Sequence, residues 1–290
     1  MPLRDTLLAL LVAFIWGSSF VAIKFGVEEI PPILLTGLRF LFSAVPAVFF
    51  IPRPRIPVWI IIAFGFTLGV IKFSLLFLGI KLGMPIGLTS IVVQMQVFFT
   101  ILIAFFVYGE APSRLQIIGA LIAFGGIVIF GYERAQSAPL IPFLTILGAA
   151  FFWGIANNIG KKAGRVDMLA FIAWASLVAP LPLFALSYIF EGPEGFIHAF
   201  TAPSLKLVLS VAFIAYIATN LGFGLWSNLL SRHPVSVVTP FALLIPIVGM
   251  ACGVLFFGEK LTLPIAIGSG VVFAGLLINV FGDRLMQRFR

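Results

Sequence analysis

Trp16-Gly17-Ser18-Ser19-Phe20-Val21-Ala22-Ile23-Lys24 returns 137 residues later as Trp153-Gly154-Ile155-Ala156-Asn157-Asn158-Ile159-Gly160-Lys161. Trp-Gly opens each run and a lysine closes it, eight residues after the tryptophan. A second match lies downstream of each. Tyr108-Gly109-Glu110, followed by Gly119, Phe124 and Gly126, returns as Phe257-Gly258-Glu259, followed by Gly268, Phe273 and Gly275, now at an offset of 149. An insertion of 12 residues in the polar loop 191–204 accounts for the difference. Ten strongly apolar stretches carry these markers: 6–27, 32–50, 58–78, 86–108 and 115–130, then 140–160, 168–190, 205–230, 235–257 and 263–281. The chain therefore reads as two five-span repeats, 1–135 and 136–290. Five crossings make the second repeat enter the membrane from the opposite side, the inverted arrangement that goes with alternating access to a site between repeats.

Composition fixes the class independently. With 61% hydrophobic residues, 10% charged residues and a mean hydropathy of +1.19, the chain has too few charges to coat a water-soluble surface of its size. Each stretch approaches the roughly 20 apolar residues that a helix needs to cross a bilayer. The alternating ~10-residue strands of a membrane barrel are not seen. The expectation is an all-α integral membrane protein of ten transmembrane helices around a central cavity. The first stretch is too long for a signal-peptide core and is expected to remain in the mature protein. The single cysteine, Cys252, lies inside a span, which rules out an intramolecular disulfide and any CxxC metal site.

Lysine and arginine set the orientation. With the N-terminus in the cytoplasm, Arg4, Arg53, Arg55, Arg114, Lys161, Lys162, Arg165, Arg232, Arg284, Arg288 and Arg290 fall inside, and Lys81, Arg134, Lys206 and Lys260 outside. Eleven against four is a positive-inside bias that places both termini in the cytoplasm of a cell inner (plasma) membrane protein. The net charge of +8 is then a topological signal and calls for no nucleic acid. The basic tail 284–290 is expected to meet anionic headgroups of membrane lipid.

The motifs together resemble the EamA-type proteins of the drug/metabolite transporter superfamily. They are Trp16-Gly17-Ser18-Ser19-Phe20, Gly37-Leu38-Arg39-Phe40, Gln94-Met95-Gln96-Val97-Phe98-Phe99-Thr100, the Gly-Glu pairs at 109–110 and 258–259, and the run from Trp153 to Lys162. Within that superfamily the chain is most similar to the O-acetylserine/cysteine exporter branch. The resemblance implies a cavity lined by helices 1, 3, 4, 6, 8 and 9, helices 5 and 10 set apart, and export of amino acids or related metabolites. That branch commonly carries Asn at position 19 and an uncharged polar residue at 72, where this chain has Ser19 and Lys72.

The residues alone point to the same depth. Trp16, Ser19, Gln94, Gln96, Trp153, Asn157, Thr219 and Asn220 lie near the middle third of their spans, where polar groups must face protein or water. Trp16 with Ser19 and Trp153 with Asn157 each share a helix face, giving matched aromatic-plus-polar pairs suited to an amino acid. Interhelical hydrogen bonding is the competing reading of each. Gln94 and Gln96 project about 200° apart on a regular helix, so only one faces a cavity squarely. Among the cations, Lys24 is expected to snorkel. Arg39 either pairs with Glu28 or Glu29, reaches the headgroups, or has a functional role at depth. Lys72 either receives a substrate carboxylate or also reaches outward.

None of the ten acidic residues lies at mid-membrane depth, which argues against a carboxylate proton relay and for facilitated transport. The Gly154–Lys161 run has the wrong spacing for a phosphate loop, so ATP hydrolysis is not expected. No catalytic residue, metal ligand or cofactor site is read from the sequence. The small residues of Gly65-xxx-Gly69, Gly79-xxx-Gly83 and Gly249-xxx-Gly253 suit close helix packing. Pro240 and Pro246 mark a possible hinge in helix 9. Glu110 and Glu259 are expected to meet Arg114 and Lys260 or solvent. The expected function is an amino-acid or amino-acid-derivative exporter acting as a monomer or homodimer. A carrier of sugar-phosphates or lipid-linked sugars is the alternative, and a membrane-embedded enzyme is third.

Overall fold

The computed structural model describes residues 1–137, 140–164, 166–233 and 235–288, and in these the regular structure is all helical. Ten long helices run in chain order: α1 Leu3–Glu29, α2 Pro32–Phe50, α3 Val58–Lys81, α4 Ile86–Tyr108, α5 Arg114–Ser137, α6 Ile141–Lys161, α7 Met168–Phe190, α8 Leu205–Arg232, α9 Pro240–Phe257 and α10 Leu263–Arg288. A short helix, Glu194–Thr201, precedes α8, and one turn, Val235–Val238, precedes α9. Among the described residues nine helices are long and apolar enough to cross a membrane, and α5 is apolar over the shorter run Arg114–Ile129. Arg165 and Arg290, and the side chains of Glu133, Arg134, Arg284 and Arg288, lie outside what is described.

Local chemistry starts and stops these helices. Prolines open α2 and α6, and Pro180 opens the second segment of α7, Pro180–Phe190, where their missing N–H has no partner to lose. Asp167 caps α7 by accepting from Leu169 N at 2.9 Å, and Ser204 caps α8 by accepting from Leu207 N at 3.0 Å. Gly109 and Gly258 end α4 and α9 at φ of +69° and +61°, a left-handed turn that glycine makes without a Cβ clash. Large apolar side chains face outward along the barrel of the bundle, Leu181 at 81% and Leu255 at 79% exposed, as a surface solvated by lipid requires.

Contacts between the halves come in matched pairs. α1 packs on α8 and α9, while α6 packs on α3 and α4. A Cβ on Gly17 would stand 2.5 Å from Val248 Cβ, and one on Gly154 would stand 2.8 Å from Phe99 Cβ. Each glycine therefore lets its helix close against the other half. α5 and α10 pack chiefly on each other, antiparallel, with Gly119 against Gly275 and Gly126 against Gly268. Gly65 and Gly69 seat α3 on Ala175, Val178 and Ala179 of α7. Gly79 seats α3 on α6, whereas Gly83 has φ +97° with open space around it and serves the turn instead.

Four helices change their winding without a break, again in pairs. α3 widens to π-helical turns over Phe66–Lys72 and α8 over Phe213–Leu221. α4 tightens to 3₁₀ over Val93–Met95 and α9 over Thr239–Leu244. Pro240 lies in the α9 segment and Pro246 just after it, but α4 makes its 3₁₀ turn without proline, so proline alone is not the cause. The two segments face each other: Gln94 Nε2 donates to Ala242 O at 3.5 Å and Ser90 Oγ to Pro246 O at 3.2 Å. Changes of this kind free backbone and re-aim side chains, and they concentrate at functional sites.

Candidate functional site

The π turn of α8 presents three consecutive residues to the first half of the chain. Trp16 Nε1 donates to Ala218 O at 2.8 Å. Arg39 Nη2 donates to Thr219 Oγ1 at 3.0 Å, while the Thr219 hydroxyl is itself spent on Ile214 O, five residues back along the wide turn, at 2.8 Å. Asn220 Nδ2 donates to Ser43 O at 3.1 Å. Thus α1 and α2 both dock on one irregular turn, and the turn's geometry decides where Arg39 points.

Arg39 is 5% exposed and Lys72, at the end of the α3 π turn, is 2% exposed. Both stand on one ring. Arg39 Cζ is 3.9 Å and Lys72 Nζ 3.4 Å from the Phe73 centroid, so no more than the sum of those distances separates the two cations. Lys72 Nζ also lies 4.0 Å from the Trp153 ring of α6. A lysine at the centre of a spanning helix costs about 2.5–3.5 kcal/mol on insertion scales. A desolvated cation–π contact contributes about 2 kcal/mol, so the two rings offset that cost without neutralising the charge. Among the described residues Lys72 Nζ makes no hydrogen bond or ion pair, and Arg39 Nε and Asn220 Oδ1 are buried without a partner.

One turn beyond Trp153, Asn157 Nδ2 donates to Gln96 Oε1 at 2.6 Å and to Thr100 Oγ1 at 3.0 Å, joining α6 to α4. Its neighbour Asn158 donates to Thr100 O and Gly154 O at 3.0 and 2.9 Å. Polar and aromatic contacts therefore run from Trp16 through α8 to Arg39, Phe73, Lys72 and Trp153, with the Asn157–Gln96 pair one turn further along α6. They pass from one half of the chain to the other through the middle of the bundle.

The residues singled out in the sequence are not all in one place. Lys72 and Trp153 touch, and Gln96 and Asn157 touch. Trp16 packs on Phe223 and Trp226, with ring centroids 5.2 and 5.3 Å away, and buried Ser19 bonds back to Trp16 O at 2.6 Å. Gln94 turns to α9 and Gln96 to α6, as the roughly 200° between them on a helix requires. The outward reading of Lys72 is excluded by its burial. Arg39 is corrected too: Glu28 pairs with Lys206 and Glu29 with His198 and Lys206, while Arg39 turns inward to Thr219. Lys72, Arg39 and Gln94 are buried at the centre. Two open grooves lie away from it, an apolar one of about 210 Å³ along Phe98, Leu102, Phe105, Ala120 and Phe124, and one of about 110 Å³ beside Glu259.

The two faces of the bundle are tied by carboxylates. On the face opposite the N-terminus, Glu259 Oε1 and Oε2 accept from Ile86 N and Gly87 N at 2.5 and 2.9 Å, capping α4. Glu191 accepts from Ile33 N and Leu34 N at 2.8 and 3.1 Å and from Ser187 Oγ at 2.7 Å, capping α2. On the N-terminal face, Asp5 of α1 holds His233 Nε2 at 2.7 Å and Arg232 Nη2 at 3.1 Å, and Glu110 pairs with Lys161. The neighbours expected for Glu110 and Glu259, Arg114 and Lys260, are displaced by these partners.

Comparison with known proteins adds sequence evidence to this geometry. The EamA-like transporter family matches the chain twice, over residues 4–132 and 140–281. A probable amino-acid metabolite efflux pump of Escherichia coli (strain K12) is 37% identical over 98% of this chain and 97% of its own length. A protein of the same description from Salmonella typhimurium (strain LT2) is 38% identical over 100% and 99%. A crystal structure at 20% identity superposes with a TM-score of 0.64 over 99% of both chains, which speaks for the fold.

Proposed function

Since the chain belongs to the EamA-like transporter family, we propose that it exports amino acids or their derivatives across the cell inner membrane by alternating access, without ATP hydrolysis and without chemistry on the substrate. The observation that carries this reading is Lys72: a buried cation at mid-depth, held on two aromatic faces, with no carboxylate among its described partners. A free α-carboxylate supplies the missing charge. Trp153 and Phe73 supply an apolar wall for the rest of the solute. The relatives named as amino-acid metabolite efflux pumps support the substrate class.

In this reading residues 1–135 and 136–290 are inverted repeats, supported by the double family match and by the paired irregular turns. The positive-inside bias puts the N-terminal face in the cytoplasm. The carboxylate caps at Glu191 and Glu259 then close the outer side, and Pro240 and Pro246 border the α9 segment that flexes. Arg39 beside Lys72 also favours the second reading, a carrier of phosphorylated sugars, because that class needs clustered cations at mid-depth. The test is uptake into liposomes containing the purified protein, with free amino acids set against their methyl esters and against sugar phosphates. Saturable uptake of free amino acids, with esters excluded, supports the exporter. Uptake of sugar phosphates alone replaces it with the second reading.

A further inference from the structure

Two buried cations share one aromatic ring, and a single α-carboxylate compensates only one of them. The described acidic side chains with partners are used elsewhere: Asp5 on His233 and Arg232, Glu28 on Lys206, Glu29 on His198 and Lys206, Glu110 on Lys161, Asp167 on the start of α7, Glu191 on the start of α2 and Glu259 on the start of α4. Thr219, the one hydrogen-bonding partner of the Arg39 side chain, is a neutral hydroxyl whose proton is already donated to Ile214 O. That leaves Arg39 Nε, which is buried and unpartnered, and the three N–H groups of Lys72 Nζ. A guanidinium fork and an ammonium that lie 3.9 and 3.4 Å from the centre of one phenyl ring match two anionic groups on a solute of amino-acid size. A purely structural Arg39 would be expected to spend its donors on backbone carbonyls, as Trp16 and Asn220 do beside it.

We infer that Arg39 and Lys72 form one two-cation site whose substrate carries a second anionic group, Lys72 holding the α-carboxylate and Arg39 the acidic side chain. The inference rests on the exporter reading and narrows it to acidic amino acids or their phosphorylated counterparts. Carboxylate and phosphate share this chemistry, and the arms of the test separate them.

The experiment uses the full-length protein in liposomes and measures saturable uptake of aspartate against asparagine, and of O-phosphoserine against serine. At least one acidic member should be preferred over its neutral partner by about tenfold or more in the concentration giving half-maximal rate, since an unpaired buried charge rejects the analogue that leaves it unpaired. Preference in the first pair identifies a carboxylate in the Arg39 subsite, and preference in the second a phosphate. Arg39→Gln should erase the preference between the members of the favoured pair, and Arg39→Lys, which keeps the charge, should retain it. Should Arg39→Gln fail to fold, wild-type selectivity and the Arg39→Lys variant still decide. Equal uptake within both pairs, or a preference that survives Arg39→Gln, overturns the inference. If in that case Lys72→Gln still abolishes discrimination between free acid and methyl ester, the exporter reading stands without it. If none of the four solutes nor any other free amino acid is carried, both fall together.

Discussion

The depth of Lys72 was legible because its position in the span, 14 residues in, is a matter of counting; its inward direction and aromatic seat were not, because Trp153 comes from the other half of the chain. Arg39 illustrates the same limit. Depth along α2 can be counted from sequence, but the direction of a long guanidinium depends on where the π turn of α8 places Thr219. The residue-scale prediction concerns Lys72→Gln. Glutamine removes the charge and keeps hydrogen-bonding capacity at similar length, and a neutral side chain at that depth is cheaper to bury. Transport of free amino acids should fall at least about tenfold, the effect of losing one charge-assisted contact of about 1.5–3 kcal/mol. The preference over methyl esters should vanish, while expression and melting temperature hold. Lys24→Gln is the control. Lys24 is half-buried near the far end of α1, and its substitution should be nearly silent. Unchanged acid-over-ester preference in Lys72→Gln removes Lys72 from the binding site.

At the scale of elements, the ten spans were readable because hydrophobic length is local information, and α1 to α10 begin and end close to the apolar stretches. The partners of helix ends were not readable. Sequence offers Glu259 its neighbour Lys260, whereas the fold offers the start of α4, 173 residues away, where two unpaired N–H groups and the positive end of the helix dipole converge. The π and 3₁₀ turns were also hidden, since they arise where facing helices compete with the regular backbone ladder, as Gln94 and Ala242 do. Only the prolines of α9 gave a signal, and α4 has none to give. Glu259→Ala should uncap α4 and lower stability by about 0.5–2 kcal/mol, read as a reduced melting temperature in detergent. Lys260→Ala, outside that cap, should leave the midpoint within error. A Glu259→Ala protein as stable as wild type would show that the cap contributes nothing to stability.

At the scale of the whole molecule, the placement of charge bears on what drives transport. The two histidine–carboxylate pairs sit at opposite faces, Asp5 with His233 where α1 begins and Glu29 with His198 where it ends, some 24 residues or roughly 36 Å apart along the helix at 1.5 Å per residue. Between them the central path offers cations, amides, hydroxyls and aromatic rings, and no described carboxylate. A proton relay needs titratable groups that the substrate site can reach from both sides in turn. Neither pair meets that condition. Substrate is therefore expected to move down its own gradient. In liposomes of purified protein, the initial rate and the final level of uptake should be the same with and without an imposed pH difference, and an uncoupler should change neither. Preloading the lumen with unlabelled substrate should accelerate exchange, because a carrier that reorients with substrate bound needs no other passenger. Accumulation above the external concentration that requires the pH difference and collapses with the uncoupler would contradict facilitated export. Asp5→Asn would then separate the possibilities: loss of accumulation with exchange intact would assign coupling to the Asp5–His233 pair at the N-terminal face, and unchanged accumulation would move the coupling group elsewhere.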